Sequence, residues 1–210
     1  MRRVYNFLKS KIKRGYDRIR GYDDYFNIPF SLLNPLPKSA EKVMDVCCRQ
    51  LEMKGIVYYV YDGTALGFYR EGGFIKHDDD IDIAIPVERE LDEKLLIKLF
   101  VKDLGMHIGR KLTYRGRLQQ LACYDDDHVL FDMCFFWKSE RDDYVWRAPE
   151  SKRPYRLNKK FFGPPFIFSF HGRDYPLFNH TEEWLQYRYG DNWRIPERSK
   201  GDWREDPCFK

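Results

Sequence analysis

The segment HDDDIDIAIP (77–86) concentrates carboxylates in a pattern that a strand would turn into chemistry. Side chains two residues apart on a strand project to the same side, so Asp80 and Asp82 point together and Ile81, Ile83 and Ile85 share the opposite face. Two carboxylates held that close repel unless a cation lies between them, and an all-oxygen site suits Mg²⁺, with Mn²⁺ as its substitute. A bare run of aspartates is equally what an acidic turn before an ordinary strand looks like. A third acid weighs against that plainer explanation. Asp132 interrupts HVLFDMCFFW (128–137), an otherwise apolar run, where a carboxylate must find a partner. Either one of the many arginines pairs with it, or it stands beside Asp80 and Asp82 on a neighbouring strand and completes a metal-binding triad. Asp78 has the parity of Asp80 but lies at the strand's entrance, where it would support those ligands or touch substrate.

The complementary half of such a site lies upstream. IVYYVY (56–61) has the β-branched and aromatic character of a buried strand, and it stops at Asp62-Gly63-Thr64, ahead of a helix expected over about 64–69. A strand that breaks at glycine and enters a helix offers backbone N–H groups and a positive dipole end to an anion. Gly63 and the Thr64 hydroxyl are therefore candidate phosphate contacts. Of the five histidines only His77 adjoins the acids, as a phosphate contact or a local ion-pair partner. With no HxxxH or HExxH spacing, a zinc hydrolase is not indicated.

Several elements must position these groups. Residues 27–38 hold three prolines and form an extended connector, after which Ser39 is placed to cap a helix running to about Lys54 and ending at Gly55. A charged amphipathic helix is expected over 88–104, and strands over 106–113, 117–124 and 128–137 would extend the sheet in antiparallel fashion. Residues 138–178 turn aromatic and basic, and give no regular pattern beyond a loop-rich lid or sheet edge. There Lys152, Arg153, Arg156, Lys159 and Lys160, interleaved with Tyr155, Phe161 and Phe162, would bind an anion or form a solvated edge. The last helix has Thr181 as its cap and Gly190 at its end, and its aromatics Trp184, Tyr187 and Tyr189, with Trp193, have the spacing of core residues.

Composition bounds the rest. With 210 residues, 17% of them aromatic and 33% charged, the chain is one globular domain, neither disordered nor membrane-spanning. The net charge of +4 is a tail property, because the first twenty residues carry eight basic side chains against the single acid Asp17. Val4, Phe7, Leu8, Ile12 and Ile19 could give that tail an apolar stripe, either for an anionic membrane surface or for packing on the body. The opening lacks the apolar core of a secretory signal, so the expected address is cytoplasmic, at the inner face of a membrane if the tail binds one. Five cysteines without a CxxC spacing indicate neither disulfides nor structural zinc. Residues 1–37 thus form a basic extension and connector, and 38–210 a single catalytic domain.

YYVYDGTALGFYREGGFIKHDDDIDIAIP (58–86) resembles the signature of the LicD and fukutin-related phosphotransferases, a GTLLGxxR element ahead of a DDDxD element. PLFNHTEEWLQYRYGDNWRIP (176–196) is similar to the Tyr-Gly-Asp-x-Trp-x-x-Pro ending of LicD proteins, so the resemblance covers about residues 40–196. It implies an α+β, polymerase-beta-like nucleotidyltransferase fold, a mixed sheet flanked by helices. It also implies transfer of a phospho-alcohol, such as phosphocholine or ribitol phosphate, from a CDP-activated donor to a glycan or lipid-linked saccharide, with release of CMP. By position Gly63 and Thr64 match the phosphate turn, Arg70 the motif arginine, and Asp80, Asp82 and Asp132 the catalytic, metal-binding acids. Asp132 would share the metal or accept the acceptor's proton; Arg70 would pair with phosphate or with the acids. Where the family usually has Pro-Trp before its acidic run, this chain has Lys76-His77. The alternatives are a nucleotidyltransferase releasing pyrophosphate and a non-catalytic protein that binds glycan or nucleic acid, the last disfavoured by a net-acidic body.

Overall fold

The computed structural model describes residues 15, 17–31, 35–151 and 153–196. Most of the basic tail expected to meet a membrane, together with Lys152 and Cys208, lies outside the described residues. Strand β1 (Tyr22–Phe26) precedes helix α1 (Ala40–Met53), the two-residue strand β2 (Tyr59–Val60) and helix α2 (Asp62–Glu71). Then follow β3 (Asp80–Val87), helix α3 (Glu93–Ile97) widening into a π turn (Lys98–Asp103), and a meander of β4 (His107–Tyr114), β5 (Arg117–Tyr124) and β6 (Leu130–Lys138). The remainder is β7 (Asp143–Trp146), β8 (Tyr155–Asn158), β9 (Phe166–Phe170), β10 (Arg173–Leu177) and helix α4 (Thr181–Tyr189).

The main strand order is β1-β4-β5-β6-β3-β2-β10-β9, with β7 and β8 hung from the end of β6. It is a mixed sheet: β3 runs parallel to β6, and β10 parallel to β2, while the other pairs are antiparallel. Period-two patterning splits the central pair into two chemistries. Ile81, Ile83 and Ile85 stand opposite Phe131, Met133 and Phe135, and all six are buried. Against that face pack Phe100 of the π turn, on Phe131 at 5.8 Å, and Cys47 of α1, whose thiol lies 3.7 Å from the sulfur of Met106. The other face carries Asp80, Asp82 and Asp132. Its far end is an aromatic cluster in which Tyr61, Phe136, Tyr155, Phe178 and Trp184 stack edge to face.

Several expectations are corrected. Residues 138–178 contain four strands; of the lid or sheet edge expected there, they form the edge, with β9 ending the main strand order. In β8 the pattern Tyr-Arg-Leu-Asn alternates buried and exposed, and β9 and β10 form a hairpin turning at His171-Gly172, both with positive φ (47° and 80°). The cations that masked this pattern occupy the outward positions, where Arg156 pairs with Asp143 at 2.9 Å and Lys160 and Lys159 pair with Glu183 and Asp142. In IVYYVY only Tyr59 and Val60 pair as strand, because Tyr61 leads directly into α2. Ser39 has helical backbone angles and its side chain caps nothing, since a capping side chain needs an extended backbone to fold back on the first turn. Thr181 lies inside α4, its hydroxyl donating to the Phe178 carbonyl at 2.6 Å, although Gly190 does end that helix. Cys47, Cys48, Cys123 and Cys134 are buried free thiols. Among the described residues no helix is long and apolar enough to cross a membrane.

Candidate active site

The parallel register of β3 and β6 sets Asp82 directly opposite Asp132 and Asp80 opposite Leu130. On the other side of β6, Ala122 of β5 faces Asp132, and its small side chain leaves room above the carboxylate. One ligand oxygen each from Asp80, Asp82 and Asp132 fall within 4.8 Å of one another, and the same holds for Asp78, Asp79 and Asp80. The triad stands in a cavity of about 760 Å³, walled on one side by Asp62, Gly63, Arg70 and Trp193 and on the other by Phe26, Arg110, Gln120 and Trp146.

The cavity is strongly acidic. Asp62, Asp78, Asp79, Asp80, Asp82 and Asp132 line it, with Arg70, Arg110 and Arg188 as its arginines, and each arginine is already bonded to a carboxylate. Arg70 grips Glu71 (2.5 Å); Arg110 binds Asp24 through two nitrogens (3.0 and 2.9 Å) and Glu150 (2.9 Å); Arg188 binds Asp62 (3.0 Å). The consequence shows in the proton affinities. Burial, with Asp78 and Asp132 nearby, pushes the Asp80 carboxyl far above its ordinary value, and burial with Asp80 and Asp62 does the same to Asp82. Burial raises Asp78 to about 7, helped by Asp79 and Asp62. Asp132 is raised to about 6 by burial, held from going higher by a hydrogen bond from Gln120 and the charge of Arg110. Its Oδ2 accepts that bond; Oδ1 is buried with no partner, as is Oδ2 of Asp78. A set of converging carboxylate oxygens, short of positive charge and with orphaned atoms, fits a hard divalent cation.

Gly63, Arg70, His77 and Asp78 all line this cavity with the triad. Gly63 admits a close neighbour: a Cβ there would come within 3.0 Å of the Asp78 carboxylate, which packs against the start of α2. Thr64 is placed differently from its expected role. It is fully buried, away from the cavity wall, and its hydroxyl oxygen accepts the backbone N–H of Asp82 at 3.0 Å, so it ties α2 to β3 instead of facing a phosphate. Arg70 pairs with Glu71 and donates to the Trp193 carbonyl (3.0 Å), not to the triad. His77 is exposed beside Asp79, whose proton affinity burial raises while a backbone hydrogen bond and the neighbouring His77 hold it back. The Tyr-Gly-Asp-x-Trp ending acquires a location: Trp193 anchors Arg70, and the Tyr189 hydroxyl donates to Asp62 Oδ1 at 2.5 Å. The basic segment around Arg156 and Lys160 lies outside the cavity wall.

Sequence reasoning missed Asp62, Arg110, Gln120, Trp146 and Arg188. Only Gln120 left a signal, as a polar interruption of the buried strand RLQQLACY. Asp62 adopts φ of +43°, a left-handed conformation that aspartate tolerates better than most residues, and Arg188 and Tyr189 hold its carboxylate there.

A mixed sheet presenting three carboxylates from a parallel strand pair, with a helix start on the cavity's edge, is the arrangement of a nucleotidyltransferase-type domain. Residues 55–180 match the family model described as LicD/FKTN/FKRP, nucleotidyltransferase domain, and the chain belongs to that family. Over 173 residues it is 27% identical to "Ribitol-5-phosphate transferase FKTN" of Homo sapiens, a match covering 81% of this chain and 36% of that protein. The proteins of the same name from Macaca fascicularis and Mus musculus match at 27% and 25%. The chain therefore spans little more than a third of the length of these relatives. Among solved structures, lincosamide antibiotic adenylyltransferase LnuA, lincomycin-bound, aligns with a TM-score of 0.47 and 12% identity over 72% of this chain and 86% of that one. ANT(2")-Ia in complex with adenylyl-2"-tobramycin gives 0.39 and 14%, over 68% of each chain.

Proposed function

We propose that this chain is a metal-dependent phosphotransferase that moves a phospho-alcohol, phosphocholine, ribitol phosphate or a similar group, from a CDP-activated donor to a glycan or lipid-linked saccharide hydroxyl, releasing CMP. Its setting would be assembly of a cell-surface polysaccharide or glycoconjugate, in the cytoplasm at the inner face of a membrane that residues 1–20 could touch. The reading rests on one observation, the convergence of Asp80, Asp82 and Asp132 in a cavity whose arginines are bonded to other carboxylates. Asp80 and Asp82 would hold Mg²⁺ or Mn²⁺, which would supply charge to offset the donor diphosphate and the departing CMP, leaving Asp132 for the acceptor's proton.

The chain's own groups do the rest. The acceptor oxygen bonds to the phosphorus of the transferred group, the bond from that phosphorus to the CMP oxygen breaks, and the electron pair leaves with CMP. The acceptor's proton passes to Asp132, whose Oδ1 has no other partner and whose affinity for a proton is raised by burial. Arg70 and His77 supply donors on the wall that carries Gly63 and the start of α2, where the donor phosphates belong. The test is CMP release with Mg²⁺ from CDP-choline, CDP-ribitol, CDP-glycerol and CDP-ethanolamine by wild type and Asp82→Ala. Release from one donor, lost in the variant, is expected. Pyrophosphate released from a nucleoside triphosphate instead would move the chain to nucleotidyl transfer, and silence together with no metal-dependent CDP binding would sink the reading.

A further inference from the structure

The wall opposite Arg70 plays no part in donor binding as read above, and it holds an unanswered pair of acceptors. Gln120 of β5 stands two residues before Ala122, the residue facing Asp132, so its amide lies diagonally beside that carboxylate on the same face. Nε2 of Gln120 donates to Asp132 Oδ2. An ionised carboxylate accepts only from the NH₂ end of an amide, so the bond fixes which way round the Gln120 side chain sits. Its Oε1 is turned away from Asp132 and is buried without a hydrogen-bond partner, just as Asp132 Oδ1 is. Gln120 is 8% exposed and Asp132 7%, and both line the cavity.

Two orphaned acceptors on hydrogen-bonded side chains of one cavity call for two donors that arrive with the ligand, because a buried acceptor left unpaired is costly. Phosphate oxygens carry no proton at the pH of the reaction and cannot answer these two acceptors. Adjacent hydroxyls can serve. The surrounding surface is of the kind that receives a polyol: the Trp146 ring is pinned by its Nε1 donating to the Gln119 carbonyl at 2.9 Å, and the planar Arg110 guanidinium is held by Asp24 and Glu150.

We propose that this wall is the acceptor subsite and that it selects a vicinal diol. The hydroxyl to be phosphorylated donates to Asp132 Oδ1, and its neighbour donates to Gln120 Oε1, making Gln120 a specificity-determining residue. The assignment rests on the phosphotransferase reading above. It predicts that when the donor is turned over in water containing simple alcohols, transfer to 1,2-propanediol exceeds transfer to 1-propanol or 1,3-propanediol by about tenfold, the scale of one net hydrogen bond. Gln120→Leu, and the equally long Gln120→Met, would bring that ratio near unity. Because the ratio is read within one protein, loss of folded enzyme or of overall rate does not imitate the result.

A preference that survives both substitutions, or is absent from wild type, would overturn the assignment. So would a fall in CMP affinity in Gln120→Leu, which would give Oε1 to the donor's base. If wild type releases CMP from no donor, it is the phosphotransferase reading that fails. The subsite is then judged by saturation-transfer NMR of glycerol against 1-propanol on the Mg²⁺-loaded protein. Selective glycerol binding lost in Gln120→Leu supports it, and equal binding of the two alcohols refutes it.

Discussion

At the contact between α1 and β10, Arg173 reaches Glu52 (2.8 Å) and the Asp45 carbonyl (3.0 Å) and also pairs with the Asp45 carboxylate, which Arg49 binds from the other side (2.9 Å). The Tyr58 hydroxyl completes this group by donating to Glu52 at 2.7 Å. In the cavity, Asp62, Asp78, Asp79, Asp80, Asp82 and Asp132 crowd together while Arg70 and Arg110 are bonded to acids outside the lining and Arg188 serves Asp62. The first cluster is matched charge for charge and leaves Asp45 below its ordinary proton affinity: burial would raise it, but bonds from Arg49 and Arg173 prevail. In the second, burial and repulsion act in the same direction on Asp80 and Asp82, and both rise. Polar groups of similar kind thus serve two ends. A balanced set fastens a helix to a sheet, and an unbalanced one is kept for something that arrives from outside.

The contrast is tested most severely by exchanging what each cluster loses. Asp82→Ala should cut metal-dependent CMP release by about 10³-fold, while the melting temperature of the metal-free protein holds or rises because a repelling charge is gone; a variant that melts lower would mean the acids stabilise the fold. Arg173→Ala should do the reverse. Losing these charged hydrogen bonds to partly solvated carboxylates should cost about 2 kcal/mol, a fall of roughly 4–8 °C in melting temperature for a chain of this size, with kcat kept in the folded fraction.

Cation binding should separate the clusters next. Mg²⁺ at a hundredfold excess over its Kd should stabilise wild type by about 2.7 kcal/mol in thermal melts, should stabilise Arg173→Ala to the same degree, and should leave Asp82→Ala unmoved.

Acidity gives the clusters opposite signs. Asp78 and Asp132 bind protons more tightly in the folded chain, near 7 and 6, than carboxyls do in an unfolded one. The stability they contribute is complete below the ordinary carboxylate range and is lost as pH rises through those values. Metal-free protein should therefore melt higher at pH 5 than at pH 7.5, and Mg²⁺ should shrink that difference. Asp45 contributes stability above the ordinary range that is lost as pH falls through its lowered value, so the cost of Arg173→Ala should be full near neutrality and fade at the acid end. The smallest effect belongs to Thr64→Val, which leaves the Asp82 N–H without its acceptor and should cost about 1 kcal/mol in denaturant titration.

The parity of Asp80 and Asp82 was legible in the sequence because it is local: period two is a property of any strand. Asp132 was legible as a charge in an apolar run, yet its register against Asp82 was not, since pairing between strands fifty residues apart is decided by packing. The helix starting near Gly63 was visible, but whether Thr64 would face the cavity depended on the turn at Asp62, whose left-handed backbone rotates the first residues of α2. Residues 138–178 hid four strands because prolines, a two-residue turn and outward cations broke up the alternation. Gln120 left only a polar interruption of an apolar strand, and Arg110 left nothing; what marks both is the company they keep across β1, β4, β5 and β6.

Parallel pairing obliges the chain to cross over between β3 and β6, and here the crossing consists of α3, its π turn and the β4–β5 hairpin. Asp80, Asp82 and Asp132 belong to the two strands being joined, whereas Arg110 and Gln120 ride on the connection. On the acceptor-subsite proposal, the carboxylates and the residues that would meet the receiver lie on separable stretches of one polypeptide. A graft of residues 88–129 from another member of the family would exchange Arg110 and Gln120 together and leave the carboxylates in register.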